Sequence, residues 1–278
     1  MLRISSIIKL IRPLNILLGL LTSFVVSYII DSTHLYRFFD LSIVLVCYMI
    51  AGNILNDLMD IEIDKINKPH RFFVQYQINK MIIAIVVIIL LLIGSWFALK
   101  LEPLAQYVAL LFALPLLISN EVIFKKMPLI GNIIISLLVA SVFIYTEAGL
   151  TGEVKITWKI FILAFMLNLI REIIKDIHDM KGDSTYNFKT LPILVGISKT
   201  ILLLRILSSI FFIISIHPIY IYEYSWHYIP LILITIHLPL LYIMWRLRVN
   251  ITSKECDNFS KLLKLMIING IIIILLSS

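Results

Sequence analysis

The stretch NILNDLMDIEID, residues 53–64, begins in apolar sequence and ends in a row of aspartates, and DIHDMKGD at 176–183 repeats that row. Both stretches space three aspartates at positions i, i+3 and i+7: Asp57, Asp60 and Asp64 in the first, Asp176, Asp179 and Asp183 in the second. Positions with this spacing lie within about 60° of one another around a helix. Each stretch therefore predicts one helix face lined by three carboxylates.

The sequence around these stretches is too apolar for a water-soluble domain. Hydrophobic residues make up 60% of the 278 residues, and the mean hydropathy is +1.01. We predict nine membrane-spanning segments, most of them near the length that a helix needs to cross a bilayer: 14–30, 41–56, 81–99, 103–120, 128–146, 157–175, 200–221, 228–246 and 261–277. Because lipid offers the backbone no hydrogen-bond partners, the sequence predicts an all-α, multi-pass membrane protein with nine transmembrane helices in one domain, residues 1–278.

The basic residues indicate how the chain is oriented in the membrane. The net charge is +7, and with nine spans most lysines and arginines fall on the side of the N-terminus. Since positive residues mark the cytoplasmic side, we predict a protein of the cell (inner) membrane whose N-terminus and acidic stretches face the cytoplasm. Basic residues placed at membrane interfaces give no reason to expect nucleic acid binding, and nothing in the sequence indicates a protein partner.

The aspartates also indicate a ligand, because carboxylates in so apolar a chain are costly unless positive charge compensates them. Mg²⁺ is bound by a few carboxylates and commonly shares its coordination shell with phosphates. Two rows of carboxylates thus predict two or more Mg²⁺ ions that hold a diphosphate. Nearby basic residues suit the same anion: Lys68, Arg71, Lys125, Lys126, Lys175 and Lys189.

A diphosphate at the interface, above apolar helices, predicts an isoprenoid tail in the membrane. The expected chemistry is ionisation of an allylic C–O bond, with the metal stabilising the leaving diphosphate. Asn53 and Glu172 each precede the first aspartate of a stretch by four residues and share its helix face, where metal contact and helix packing both stay open. His178 is expected to face away from the aspartates and not to bind metal.

These motifs resemble the UbiA superfamily of intramembrane prenyltransferases. The family's NDxxDxxxD motif is matched from Asn56 to Asp64, and its DxxDxxxD motif is matched by the second stretch. RPLN at 12–15 and PLIGN at 128–132 are similar to further family landmarks. The resemblance implies a nine-helix bundle and Mg²⁺-dependent transfer of a prenyl group, with the six aspartates as metal ligands.

The resemblance also implies roles for polar residues near the aspartates. Asn56 would support the first cluster, while Arg71, Lys125 and Lys189 would contact the diphosphate or the acceptor's phosphate. Three strings, NDLMDIEIDKINKPHR, REIIKDIHDMKGD and KTLPILVG, are most similar to the digeranylgeranylglyceryl phosphate synthase branch, whose acceptor is the hydroxyl of a glycerophosphate ether lipid. Two positions differ from the family's pattern: Glu121 stands where a tyrosine often precedes the lysine, and Phe72 stands where proline usually follows the arginine.

Other functions stay open at the level of sequence. An aromatic, quinone-precursor prenyltransferase of the same superfamily shares most of these residues, so the acceptor is either a lipid or an aromatic compound. A non-catalytic relative that only binds isoprenoid lipid is a second alternative. A cation transporter is a third, although transporters place such acids near the bilayer midplane and the basic residues here would oppose a cation pathway.

Overall fold

The computed structural model describes residues 10–30, 35–67, 69, 71–76, 79–186, 188–216 and 227–277. This part of the chain contains helices and turns but no β-strand, which confirms the all-α class. Its longer helices are α1 (Pro13–Ile29), α2 (Leu35–Met59), α3 (Lys80–Ala98), α4 (Pro103–Val122), α5 (Ile130–Thr151), α6 (Thr157–Thr185), α7 (Ile197–Ile216), α8 (Tyr228–Arg246) and α9 (Ser253–Ser277). Shorter helical segments are Ile61–Asn67, Phe72–Gln75, Phe124–Lys126 and Leu191–Val195.

Within these described ranges, 7 helices are long and apolar enough to cross a membrane: α2, α3, α4, α5, α7, α8 and α9. The apolar α1 has 17 residues and is shorter than the others. Helix α6 is long enough, but charged side chains occur near its start, at Lys159, and throughout its second half from Arg171 onward. The structure thus supports a multi-pass helical membrane protein, whereas the count of nine spans stays a prediction. The predicted segment 200–221 runs past Ile216 into residues outside the described part.

Two of the long helices contain a π-helical stretch, Tyr107–Ala113 in α4 and Leu233–His237 in α8. Each stretch ends two residues before a proline, Pro115 or Pro239. A proline inside a helix removes one backbone donor, and its ring crowds the carbonyl four residues earlier, so the preceding turn widens.

The chain divides into two compact units. The first comprises the described residues within Met1–Lys125 and Ser141–Lys155. In it α2 packs closely along α3: a Cβ at Gly94 would lie 2.7 Å from Tyr48 Cε1, and the Tyr48 hydroxyl is 2.9 Å from Ser95 Oγ. Nearer Asp57, Ile54 of α2 belongs to one buried cluster with Ile83 and Val87 of α3.

The second unit comprises Lys126–Ala140 and the described residues within Ile156–Ser278. Its core forms where α6 packs against α7 and α9, with Ile170, Ile173, Ile174 and Ile177 buried on one face of α6. The spacing of these isoleucines is that of an amphipathic helix, so the aspartates of α6 fall on the opposite side. A single domain over 1–278 stays a prediction.

Candidate active site

Two arginines bind Asp57, the first aspartate of the acidic stretch at 53–64. This stretch is called the first string below, and the stretch at 176–183 is called the second string. Asp57 is buried, with 3% of its side chain exposed, and its Oδ1 accepts hydrogen bonds from Nη2 of Arg12 and Nη1 of Arg71. Arg71 precedes the short helix Phe72–Gln75, whose two phenylalanines are buried in the first unit. The Arg71 that the sequence predicted for phosphate binding therefore lies at the aspartates, together with Arg12, which was not among the predicted site residues.

Arg12 reaches Asp57 from a strained backbone position. Its φ of 56° and ψ of 62° lie in the left-handed region, which is uncommon for a residue other than glycine. Pro13 follows directly as the first residue of α1, and its ring disfavours the right-handed helical conformation at Arg12. Leu129, in the other landmark string, also has a positive φ of 65°. Strain of this kind is retained where the surrounding structure fixes it, which is common at functional sites.

Asp60 bonds to the lysine that the sequence predicted. Lys125 Nζ lies 2.5 Å from Asp60 Oδ2 and 3.0 Å from Glu121 Oε2. Burial alone would lower the pKa of Lys125, but the two carboxylates outweigh it and raise that pKa above its ordinary value. The ammonium therefore stays charged at neutral pH.

Asn56 links these two groups of charges. Its Oδ1 accepts from Arg12 Nη2 at 2.9 Å, and its Nδ2 donates to Glu121 Oε2 at 3.2 Å. Asn53 instead donates to the backbone carbonyl of Ile11 at 2.9 Å, so it fixes the segment before Arg12. In the structure Asn53 thus joins α2 to the segment before α1 by a hydrogen bond, which is the structural one of its two predicted roles.

The spacing of the first string predicted one uninterrupted helix, but in the structure the helix is interrupted. Helix α2 ends at Met59 and a short helix begins at Ile61, although the backbone bonds from Asp60 N to Asn56 O (3.1 Å) and from Asp64 N to Asp60 O (2.8 Å) keep the helical spacing. Asp64 is buried. The second string, in contrast, lies entirely within α6.

In the second unit, Asp176 accepts a hydrogen bond from an asparagine of α5, with 3.0 Å between Asn132 Nδ2 and Asp176 Oδ2. Asp176 lies one residue beyond the predicted span 157–175, in α6, which is not among the seven helices long and apolar enough to cross a membrane. Desolvation, with smaller contributions from Asp183 and Glu172, raises the pKa of Asp176 to about 8, although Asn132 and Lys175 act in the opposite direction. Asn132 belongs to the PLIGN landmark, and a polar residue in an apolar span was the signal that could have identified it.

Glu172 binds the cations of its own helix. Its Oε1 lies 2.7 Å from Arg171 Nη1 and its Oε2 lies 2.6 Å from Lys175 Nζ. Glu172 is buried, whereas Lys175, a predicted phosphate ligand, is about one-third exposed. The ion pair with Glu172 holds Lys175, which directly precedes Asp176 in α6.

The other aspartates of α6 lie in different surroundings. His178 Nδ1 is 2.5 Å from Asp179 Oδ1, so the prediction that His178 turns away from the aspartates is wrong. The ring reaches Asp179 because the two residues are sequence neighbours. Asp183 is buried, and its backbone carbonyl accepts from Phe188 N at 2.9 Å.

Three further lysines near the strings were predicted from the sequence to bind phosphate. Lys189 is exposed. Lys68 lies outside the described residues, as does the side chain of Lys126.

Whether these side chains suit Mg²⁺ depends on their grouping and on their donor atoms. Within the described residues, no three side chains of His, Cys, Asp or Glu are already grouped closely enough to hold a metal ion. The donors in both strings are carboxylate oxygens, which Mg²⁺ prefers, and Asp57 and Asp60 are neutralised by side-chain cations. The chemistry of the donor set therefore fits Mg²⁺, with arginine and lysine now supplying the compensating charge.

Comparison with known sequences identifies the class of protein. The UbiA prenyltransferase family matches residues 17–268, so the chain belongs to this family of prenyl-transferring membrane enzymes. It is 33% identical to the digeranylgeranylglyceryl phosphate synthase of Pyrococcus abyssi over 220 residues, 77% of this chain and 76% of that protein. It is 34% identical to the enzyme of the same name from Saccharolobus solfataricus over 233 residues, 82% of this chain and 80% of that protein.

Solved structures share the fold. A structure described as digeranylgeranylglyceryl phosphate synthase in membranes superposes with a TM-score of 0.78 at 25% identity, covering 98% of this chain and 97% of that chain. A UbiA homolog from Archaeoglobus fulgidus bound to DMAPP and Mg²⁺ gives a TM-score of 0.69 at 19% identity, covering 97% and 99%. At that identity the second likeness shows the fold alone.

Proposed function

We propose that the protein transfers a prenyl group from an isoprenoid diphosphate to the hydroxyl of a glycerophosphate ether lipid, geranylgeranylglyceryl phosphate. The observation that carries this proposal is the identity of 33–34% to digeranylgeranylglyceryl phosphate synthases over most of each chain. In the reaction the allylic C–O bond to the diphosphate breaks, and the acceptor's oxygen forms an ether bond and loses its proton. Diphosphate and the proton leave.

In this proposal Mg²⁺ is the cofactor and the six aspartates hold it: Asp57, Asp60, Asp64, Asp176, Asp179 and Asp183. The bound Mg²⁺ would stabilise the charge of the leaving diphosphate. The Archaeoglobus fulgidus homolog bound to DMAPP and Mg²⁺ supports this cofactor for a protein of the same fold.

The basic residues around the aspartates would contact phosphate oxygens. Arg71 carries a planar guanidinium that can grip a phosphate with two hydrogen bonds, and it already lies at Asp57. Lys125 lies at Asp60 with its charge retained. Asn56 holds Arg12, and Asn53 holds the segment in front of it. Lys68, Lys175 and Lys189 are proposed to contact the diphosphate or the acceptor's phosphate.

The proposal includes the topology that the sequence predicts. Nine transmembrane helices would place the N-terminus and both aspartate strings on the cytoplasmic side of the cell membrane. The apolar helices would hold the prenyl chain and keep water from the cation that forms when the diphosphate leaves. The acceptor carries a phosphate of its own, which agrees with the surplus of basic residues on that side.

A product assay tests the proposal. Purified protein in lipid would receive Mg²⁺ and geranylgeranyl diphosphate, with geranylgeranylglyceryl phosphate and 4-hydroxybenzoate as competing acceptors, followed by mass spectrometry. We expect the lipid ether, in amounts that fall to background when EDTA removes Mg²⁺. A prenylated aromatic in its place would overturn the lipid acceptor and leave the family's reaction intact. Absence of both products would overturn the proposed reaction with these acceptors.

A further inference from the structure

Glu121 contacts two members of the first cluster, which is the group of side chains around Asp57 and Asp60: Asn56, Arg12, Arg71 and Lys125. Its Oε2 accepts from Lys125 Nζ at 3.0 Å and from Asn56 Nδ2 at 3.2 Å. Its Oε1 accepts from the amide of the buried Asn120 at 2.9 Å. Only 8% of the Glu121 side chain is exposed, so these partners replace water around the carboxylate. Glu121 belongs to neither aspartate string, and it differs from the residue that the family pattern usually has at this position.

Lys125 lies between two carboxylates of different kinds. Asp60, at 2.5 Å, is a proposed metal ligand, and a carboxylate oxygen that binds metal is a weaker partner for an ammonium. Glu121 is placed on the last turn of α4, four residues before Lys125, so its contact depends on local geometry alone. Glu121 can therefore hold Lys125 in place when Asp60 turns to the metal.

Glu121 also fixes the direction of the Asn56 side chain. An amide has one end that accepts and one end that donates. Because Nδ2 of Asn56 donates to Glu121, its Oδ1 points to Arg12, the arginine that bonds to Asp57. Asp57 and Asp60 thus each have one cation that is linked to Glu121: Arg12 through Asn56, and Lys125 directly.

We propose that Glu121 is a positioning residue that holds Lys125 and Asn56 for binding of the prenyl diphosphate. This inference rests on the proposed function, since it assumes that Lys125 contacts the diphosphate. Glu121 is assigned to positioning because its carboxylate accepts hydrogen bonds from Lys125, Asn56 and Asn120, which hold it among protein groups.

The experiment is a double-mutant cycle of Glu121→Gln and Lys125→Gln. Steady-state assays would give KM and kcat for geranylgeranyl diphosphate at saturating Mg²⁺. Loss of a charge-assisted hydrogen bond should raise KM about tenfold in E121Q, with a smaller change in kcat. In the K125Q background the same substitution should change KM by less than about twofold, since residues that act as a unit are not additive.

Asp257→Asn provides the matched control. Asp257 pairs with Lys261 at the same i,i+4 spacing, 2.5 Å apart, but both side chains are exposed on α9. We expect KM and kcat of this variant to equal those of the wild type. Glu121→Asp, which keeps the charge and shortens the side chain, should give a KM between wild type and E121Q, and it serves as the second variant if E121Q does not fold.

Direct binding separates this inference from the proposed function. The probe is geranylgeranyl S-thiolodiphosphate, an unreactive analogue, whose Mg²⁺-dependent binding needs no acceptor. If the acceptor assignment fails but E121Q still weakens binding of the probe about tenfold, the inference stands. An unchanged KM and unchanged probe binding in E121Q would overturn it. An equal effect of E121Q in the presence and absence of Lys125 would also overturn it, because Glu121 would then not act through Lys125.

Discussion

The two aspartate strings share one spacing but differ in their surroundings. In the first string, Asp57 bonds to two arginines and Asp60 bonds to Lys125. In the second string, Asp176 accepts from the amide of Asn132, while the nearby Lys175 bonds to Glu172. Asp57 is thus compensated by full charges, whereas Asp176 accepts its hydrogen bond from a neutral donor.

This difference has electrostatic consequences. Burial favours the protonated form of a carboxyl group, and at Asp176 the amide of Asn132 and the charge of Lys175 only partly oppose this effect. Accordingly, the pKa of Asp176 is raised to about 8. The comparison predicts that Asp57 and Asp176 contribute differently to stability, although both are proposed to bind the same metal and diphosphate.

The largest effects are expected from Asp57→Asn and Asp176→Asn. Each removes a proposed metal ligand, and we expect kcat to fall by about 10²–10³-fold, as after loss of one electrostatic contact to a developing charge. The two variants should differ in stability. D57N leaves Arg12 and Arg71 without their buried carboxylate, so it should unfold at a lower temperature than the wild type. D176N removes a desolvated acid, so its unfolding temperature should not be lower than that of the wild type.

Thermal unfolding of the metal-free proteins in detergent, followed beside the product assay, checks this split. Asp257→Asn serves again as the control, because its exposed ion pair should affect neither quantity. Equal destabilisation by D57N and D176N would show that the two strings do not differ in the way that the structure indicates.

An intermediate effect is expected from pH in the absence of metal. The raised pKa means that folded Asp176 binds its proton more tightly than unfolded Asp176. The contribution of Asp176 to the free energy of unfolding should therefore decrease as the pH rises from its ordinary pKa of 3.8 to about 8. Denaturation of wild type and D176N in EDTA across this range measures the difference. Parallel stability curves for the two proteins would contradict the raised pKa.

The smallest effect is expected at Lys189. Its side chain is exposed, whereas Lys125 is held between Asp60 and Glu121. A solvated cation that is not fixed in place contributes little, so Lys189→Gln should change KM for the prenyl diphosphate by no more than about threefold, against tenfold or more for Lys125→Gln. Steady-state kinetics of the two variants decide this. A larger KM increase in K189Q would place Lys189 among the main phosphate contacts.

Sequence reasoning predicted much of the first cluster, but it did not predict which groups would pair. Asp57, Asp60, Arg71 and Lys125 were identified from spacing and charge and Asn56 from the resemblance to the family motif, and the structure brings them together. Arg12, Glu121 and Asn132 were missing from the predicted site. Arg12 and Asn132 lie 45 and 44 positions from their partners, so no local spacing indicates those contacts. Glu121 stands only four residues before Lys125, but it differs from the family pattern at that position.

The linear sequence was sufficient to predict the membrane-embedded, all-helical class and the two rows of aspartates. Hydropathy and helical periodicity are local properties, and a bilayer leaves a long apolar segment few alternatives to the helix. The pairing of each carboxylate was decided only by the tertiary structure. Charge compensation depends on distances between residues remote in sequence, so Asp57 meets Arg12 across 45 positions and Asp176 meets Asn132 across 44.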